Sequence, residues 1–206
     1  MLETDFISAT REISPRLMVV LHGLGDSMEG YRWLPEAMEL PWMSYLLVNA
    51  PDPYFGGFAW YDLDGDSGPG IKRSDALLFE LLDQTRARGF PSEKTMVFGF
   101  SQGCLLSIEL GARYPHRLAG IIGVSGYVHQ PEELIQEFSP AARQQRFLIT
   151  HGTQDPLIPI SRVRPQMEML RQAGLKMDWR EFPKAHTIAA SAELPLFRSF
   201  ASDCYA

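Results

Sequence analysis

The chain has 206 residues, 45% hydrophobic and 21% charged, with 25 acidic against 19 basic residues for a net charge of −6. That length fits one domain, 1–206, with room for a large core, and the acidic balance argues against a nucleic-acid surface, which needs clustered Lys and Arg to displace counterions. No stretch has the length of a membrane span, Glu3 and Asp5 stand where a secretory leader would be basic, and Cys104 and Cys204 lie too far apart to suggest a disulfide framework or a zinc site, so the expected compartment is the cytoplasm.

After a short N-terminal lead, Leu17 to Leu21 is a continuous apolar run, the mark of a strand buried on both faces in a parallel sheet. It ends in His22-Gly23-Leu24-Gly25-Asp26. Two glycines just past a buried strand let the backbone turn sharply and leave amides exposed, that of Leu24 among them. Apolar residues at helical spacing follow from Ser27 to Met38, with Ser27 as N-cap, and a second strand is expected over Tyr45 to Val48.

Pro51 to Gly70 reads as a long loop, with too much Gly, Pro and Asp for regular structure and too many aromatics for a solvated linker. Phe55, Phe58, Trp60 and Tyr61 must either cap the core or line a pocket. With Gly56-Gly57 as a hinge, the segment is expected to act as a flap, with Phe55, Phe58 and Trp60 as the substrate-binding wall on the acyl side. Asp64-Gly65-Asp66 lacks the further ligands of a calcium loop, so no metal is expected. Ile71 to Arg88 is a crossover helix, closed by Gly89 and Pro91.

The stretch TMVFGFSQGCLLSIELG, Thr95 to Gly111, joins an apolar strand to a helix through Gly99-Phe100-Ser101-Gln102-Gly103. In such a strand–turn–helix the middle residue is strained and the residues two before and two after must be small, so Ser101 Oγ would project above the sheet edge. The amides at the start of the new helix aim at the same place. Ser125 in GVSGY lacks the second glycine, since Tyr127 stands there, and Cys104 sits one turn inside the helix, where it packs rather than reacts.

Further strands are expected over Leu118 to Val124, Phe147 to Thr150 and Lys176 to Phe182, and helices over Pro131 to Phe138, Ser161 to Ala173 and Leu194 to Phe200. This alternation calls for an open, mostly parallel sheet with helices on both faces, its chemistry at the carboxyl ends of the strands. The link from Val124 to Phe147 leaves no room for a large cap domain.

A serine hydroxyl needs a base, and the base needs an orienting acid. Among His22, His116, His129, His151 and His186, only His186 follows both Ser101 and an acid in a loop. His22, immediately after a strand, reads as a loop-fixing residue, and His151 as a brace for the loop that carries Asp155. Asp155, just past a strand and held by Pro156, is favoured as the acid over Asp178, which lies within a strand.

LHGLGD (Leu21 to Asp26), GFSQG (Gly99 to Gly103), VSGY (Val124 to Tyr127), HGTQDPLIP (His151 to Pro159) and the late His186 together resemble the α/β-hydrolase carboxylesterases that include acyl-protein thioesterases and lysophospholipases. The likeness covers nearly the whole chain. It implies Ser101, Asp155 and His186 as a triad and the amides of Leu24 and Gln102 as an oxyanion hole. The chain departs from the pattern at Ala185-His186-Thr187, where Gly-His-Ser is usual, at Cys104, and at Trp60-Tyr61-Asp62. The expected reaction is cofactor-free hydrolysis of a small ester by an acyl-enzyme, on short to medium acyl chains, with a thioesterase or lysophospholipase as the alternative. A silent binding module is the remaining reading. Neither nucleic acid nor stable membrane insertion is expected, and the chain would act as a monomer or homodimer.

Overall fold

The computed structural model describes residues 1–11 and 13–205; Glu12, in the N-terminal lead, and the last residue, Ala206, lie outside the described residues. Seven strands form the main sheet, β1 (Thr4–Ile7), β3 (Ser44–Val48), β2 (Leu17–Leu21), β6 (Thr95–Phe100), β7 (Gly120–Val124), β8 (Arg146–Gly152) and β9 (Lys176–Phe182), in that spatial order. All neighbours are parallel except β1, which runs antiparallel to β3 with Thr4 opposite Val48. β1 falls within the N-terminal lead and carries little strand signal of its own: only two of its four residues are apolar, and its partner lies about forty residues downstream.

β2 shows why the sheet must be covered twice. Leu17, Val19 and Leu21 point into one apolar cluster, and Met18 and Val20 into another. The first is roofed by α2 (Gly68–Ala87), α3 (Gln102–Arg113), α4 (Pro131–Gln136) and α5 (Ile160–Gln172), the second by α1 (Leu34–Met38) and α6 (Ala190–Tyr205). Among the described residues, no helix is long and apolar enough to cross a membrane. Between β7 and β8 the described residues hold only α4 and one 3-10 turn, Ala142–Gln144, so no cap covers the sheet edge.

Two segments differ from expectation. The helix expected from Ser27 splits into a 3-10 turn, Met28–Tyr31, and the short α1, and Ser27 makes no side-chain cap. The Pro51–Gly70 loop contains a hairpin, β4 (Asp52–Tyr54) and β5 (Gly57–Ala59), held to the β2 loop by Gly25 N–H to the Phe58 carbonyl and Phe58 N–H to the Asp26 carbonyl, both 2.9 Å. Pro53 is tolerated because β4 is an edge.

This hairpin overturns the role expected for Trp60. Trp60 is 0% exposed and belongs to the core; its indole N–H donates to the His22 carbonyl at 2.9 Å. It presents no surface to a substrate. Phe55, at the hairpin tip with φ +44°, is 95% exposed and edge-on to Tyr54, while Phe58 packs partly buried against the core.

Candidate active site

Every candidate residue sits just past the carboxyl end of a parallel strand: Leu24 after β2, Ser101 after β6, Asp155 after β8 and His186 after β9. Ser101 is held at φ +54°, ψ −114°, a conformation that L-residues avoid. The glycines explain how the turn closes. A Cβ on Gly99 would fall 2.1 Å from the Gly103 carbonyl oxygen, and one on Gly103 would fall 2.2 Å from that of Leu21. β6, α3 and β2 therefore pack backbone to backbone at the turn.

His186 spans the gap between the other two. Its Nδ1–H donates to Asp155 Oδ2 at 2.7 Å, and its Nε2, 2.9 Å away, accepts from Ser101 Oγ. A carboxylate can only accept, so the Asp155 contact selects the tautomer that leaves Nε2 free as a base. Asp155 is itself fixed: Oδ1 accepts the amides of Leu157 and Ile158, both at 2.9 Å. Burial alone would raise its carboxyl pKa, but the Ile158 amide, the His186 hydrogen bond and charge, and the Leu157 amide outweigh it and hold the acid below the usual carboxylate range.

Two backbone amides are the candidates for an oxyanion, those of Gln102 and Leu24. Gln102 opens α3, so its N–H has no carbonyl a turn earlier in the helix to bind. A Cβ on Gly23 would stand 3.3 Å from Ser101 Cβ, which puts the Gly23 backbone, one residue before Leu24, close to the nucleophile. The Gln102 side chain turns away; it accepts from Trp60 N–H at 3.0 Å and donates to the Tyr61 carbonyl at 2.9 Å, locking the buried end of the hairpin segment to α3. That cross-tie was not legible in the sequence.

The other polar candidates find structural places. His22 Nε2 accepts from Ala50 N–H at 3.0 Å, so Nδ1 carries the proton that meets the Gly23 carbonyl at 2.6 Å. Burial lowers its pKa, against the opposing pull of the Gly23 carbonyl and Asp26. His151 donates from Nε2 to the Ile158 carbonyl at 2.9 Å and so braces the Asp155 loop. Ser125 is fully buried, and burial pushes the Cys104 thiol up to about 12, so neither can serve as an accessible nucleophile. Asp178 is exposed and paired with Arg180 at 2.8 Å. Among the described residues there is no cluster of three or more His, Cys, Asp or Glu side chains placed to hold a metal ion.

One further device went unseen in the sequence. Glu193, fully buried at the start of α6, accepts from Lys184 at 2.7 and 2.8 Å, from Thr150 Oγ1 at 2.5 Å and from Ala189 N–H at 2.5 Å. Lys184 and Ala189 flank His186, so one carboxylate ties both ends of the histidine's loop. Nothing in the spacing of these residues signals that they meet.

A doubly covered, mostly parallel sheet with a strained serine between strand and helix at its carboxyl edge defines an α/β-hydrolase. The chain belongs to the phospholipase/carboxylesterase family, whose model matches residues 2–202, and it is a serine hydrolase by family and relatives. It is 32% identical over 155 residues to acyl-protein thioesterase 1 of Schizosaccharomyces pombe, covering 69% of each chain. It is 28% identical over 197 residues to carboxylesterase SOBER1 of Arabidopsis thaliana, covering 87% of this chain and 86% of that one. The crystal structure of esterase PE8 superposes with a TM-score of 0.85 at 25% identity, over 98% of this chain and 99% of the other.

Proposed function

We propose that the protein hydrolyses carboxylic esters or thioesters through an acyl-serine intermediate. The hydrogen-bonded series Asp155–His186–Ser101 carries this reading, since a serine in a strained turn with a base at 2.9 Å and an orienting acid at 2.7 Å is the arrangement acyl transfer needs. Ser101 Oγ attacks the acyl carbon while His186 Nε2 takes its proton. The amides of Leu24 and Gln102 receive the oxyanion, and His186 returns the proton to the departing oxygen or sulfur. Water, activated by the same base, then releases the acid. No cofactor is needed.

The relatives support both leaving-group chemistries, since acyl-protein thioesterase and carboxylesterase names occur among them. The uncapped sheet edge favours short to medium acyl chains, or substrates that extend into solvent. A series of 4-nitrophenyl esters of increasing length, run beside an S-acylated peptide, tests the reading. Turnover that depends on Ser101 is expected for both; turnover that survives Ser101→Ala would remove the proposal.

A further inference from the structure

A groove of about 490 Å³ opens directly beside His186, and neither Phe55, Phe58 nor Trp60 lines it. Rings line it. Phe100 lies 5.0 Å from the His186 ring, Tyr31 and Trp33 are stacked at 6.4 Å, and Trp33 is 40% exposed. Ile188 completes the apolar wall, and Asp26 supplies a carboxylate at the rim.

That carboxylate is held in place. Asp26 Oδ1 accepts the Ser27 amide at 2.8 Å, and a Cβ on Gly30 would fall 2.2 Å from the same oxygen, so the group lies flush on the 3-10 turn. Among the described residues Asp26 makes no ion pair. The cation nearest in sequence, Arg32, is engaged by Glu29 and Asp5. The titratable groups facing the groove are Asp26, His186 and the buried Tyr31. A pre-positioned carboxylate among aromatic faces, on a chain of net charge −6, attracts cations.

The reaction decides what occupies the groove. His186 must hand its proton to the leaving atom, so the leaving group lies within reach of Nε2, on the side His186 itself lines. We infer that this groove is the leaving-group subsite and that it selects alcohols or thiols bearing a positive charge on a short apolar arm, with Asp26 as counter-charge and Trp33 as a ring face. The inference rests on the acyl-serine reading. In the step concerned, the Ser101 Oγ–acyl bond forms, the acyl–sulfur or acyl–oxygen bond breaks, and the serine's proton passes through His186 to the departing atom.

The test compares acetylthiocholine with its uncharged isostere, 3,3-dimethylbutyl thioacetate, with 4-nitrophenyl acetate as a reference. The wild type should prefer the choline thioester by about ten-fold in kcat/KM, mainly through KM, and the preference should shrink as salt is added. Asp26→Asn keeps the acceptor for the Ser27 amide and should bring the ratio close to one. Trp33→Ala should raise KM for both thioesters. A wild-type ratio of one or less, or a ratio unchanged in Asp26→Asn, overturns the subsite while hydrolysis of 4-nitrophenyl acetate leaves the serine-hydrolase reading standing. If Trp33→Ala alters instead the dependence on acyl length, the groove holds the acyl chain and the assignment is wrong. Absence of Ser101-dependent turnover on all three esters removes both.

Discussion

Lys184 and Glu193 form a buried ion pair, 2.7 Å apart, across the base of the loop that carries His186. Burial pushes the Lys184 ammonium down, and the Glu193 hydrogen bond and charge oppose it. Glu193→Gln removes the charge but not the shape, and it should cost about 3–5 kcal/mol by stranding a buried cation. Loosening of the loop should also lower kcat by about 10² through misplacement of His186, with little change in KM. Thermal unfolding and steady-state kinetics check both. Lys184→Met with Glu193→Gln should recover much of the stability, because no unpaired charge remains; equal instability in the double variant would refute the ion-pair account.

Ser101→Ala should fold normally and lose nearly all turnover, and a fluorophosphonate probe should label the wild type at Ser101 alone. Peptide mapping of the labelled protein decides this. Label at Ser125 would contradict its complete burial.

Asp155→Asn should lower kcat by about 10⁴, since an amide at this place can donate to Nδ1 and stabilise the wrong imidazole tautomer. Asp178→Asn should leave kcat within about two-fold, because the exposed Asp178–Arg180 pair is remote from the hydrogen-bonded series. The comparison is made on one ester under saturating conditions.

Trp60→Ala should destabilise by about 3–5 kcal/mol, as a fully buried indole is replaced by a cavity and the His22 carbonyl loses its donor. Denaturant unfolding measures it. A stable variant with raised KM only for longer acyl esters would restore Trp60 to the pocket wall.

Asp75, buried between α2 and α3 beside Arg113 at 3.6 Å, is raised to about 7, chiefly by burial and partly offset by Arg113. Its folded pKa exceeds its unfolded value of about 4, so the folded state holds the extra proton and stability falls as pH rises from about 4 to about 7. Asp75→Asn removes this slope. The Tm of the variant minus that of the wild type should therefore be more positive at pH 8 than at pH 5, and scanning calorimetry at the two values provides the test.

β2, β6, β7 and β8 were legible because each is a short apolar run, buried on both faces, that meets a glycine-bearing turn; β3 was legible by its apolar run alone, and the margin strand β9 by its alternation. The serine turn was legible for a related reason: backbone contacts at Gly99 and Gly103 forbid any Cβ, so the constraint is written in the residue identities. Chain order and loop position were enough to bring His186 and Asp155 forward as candidates. The edge strand β1, the β4–β5 hairpin, the burial of Trp60, the Glu193 clamp and the Asp26–Trp33 groove were decided only in three dimensions. Apart from the hairpin, whose two strands are neighbours in the chain, these depend on partners far apart in sequence, such as Thr4 with Val48 or Thr150 with Glu193, and on which side a ring faces once the backbone has turned. A local pattern records whether a residue must be small or apolar; it holds no record of which distant group that residue will meet.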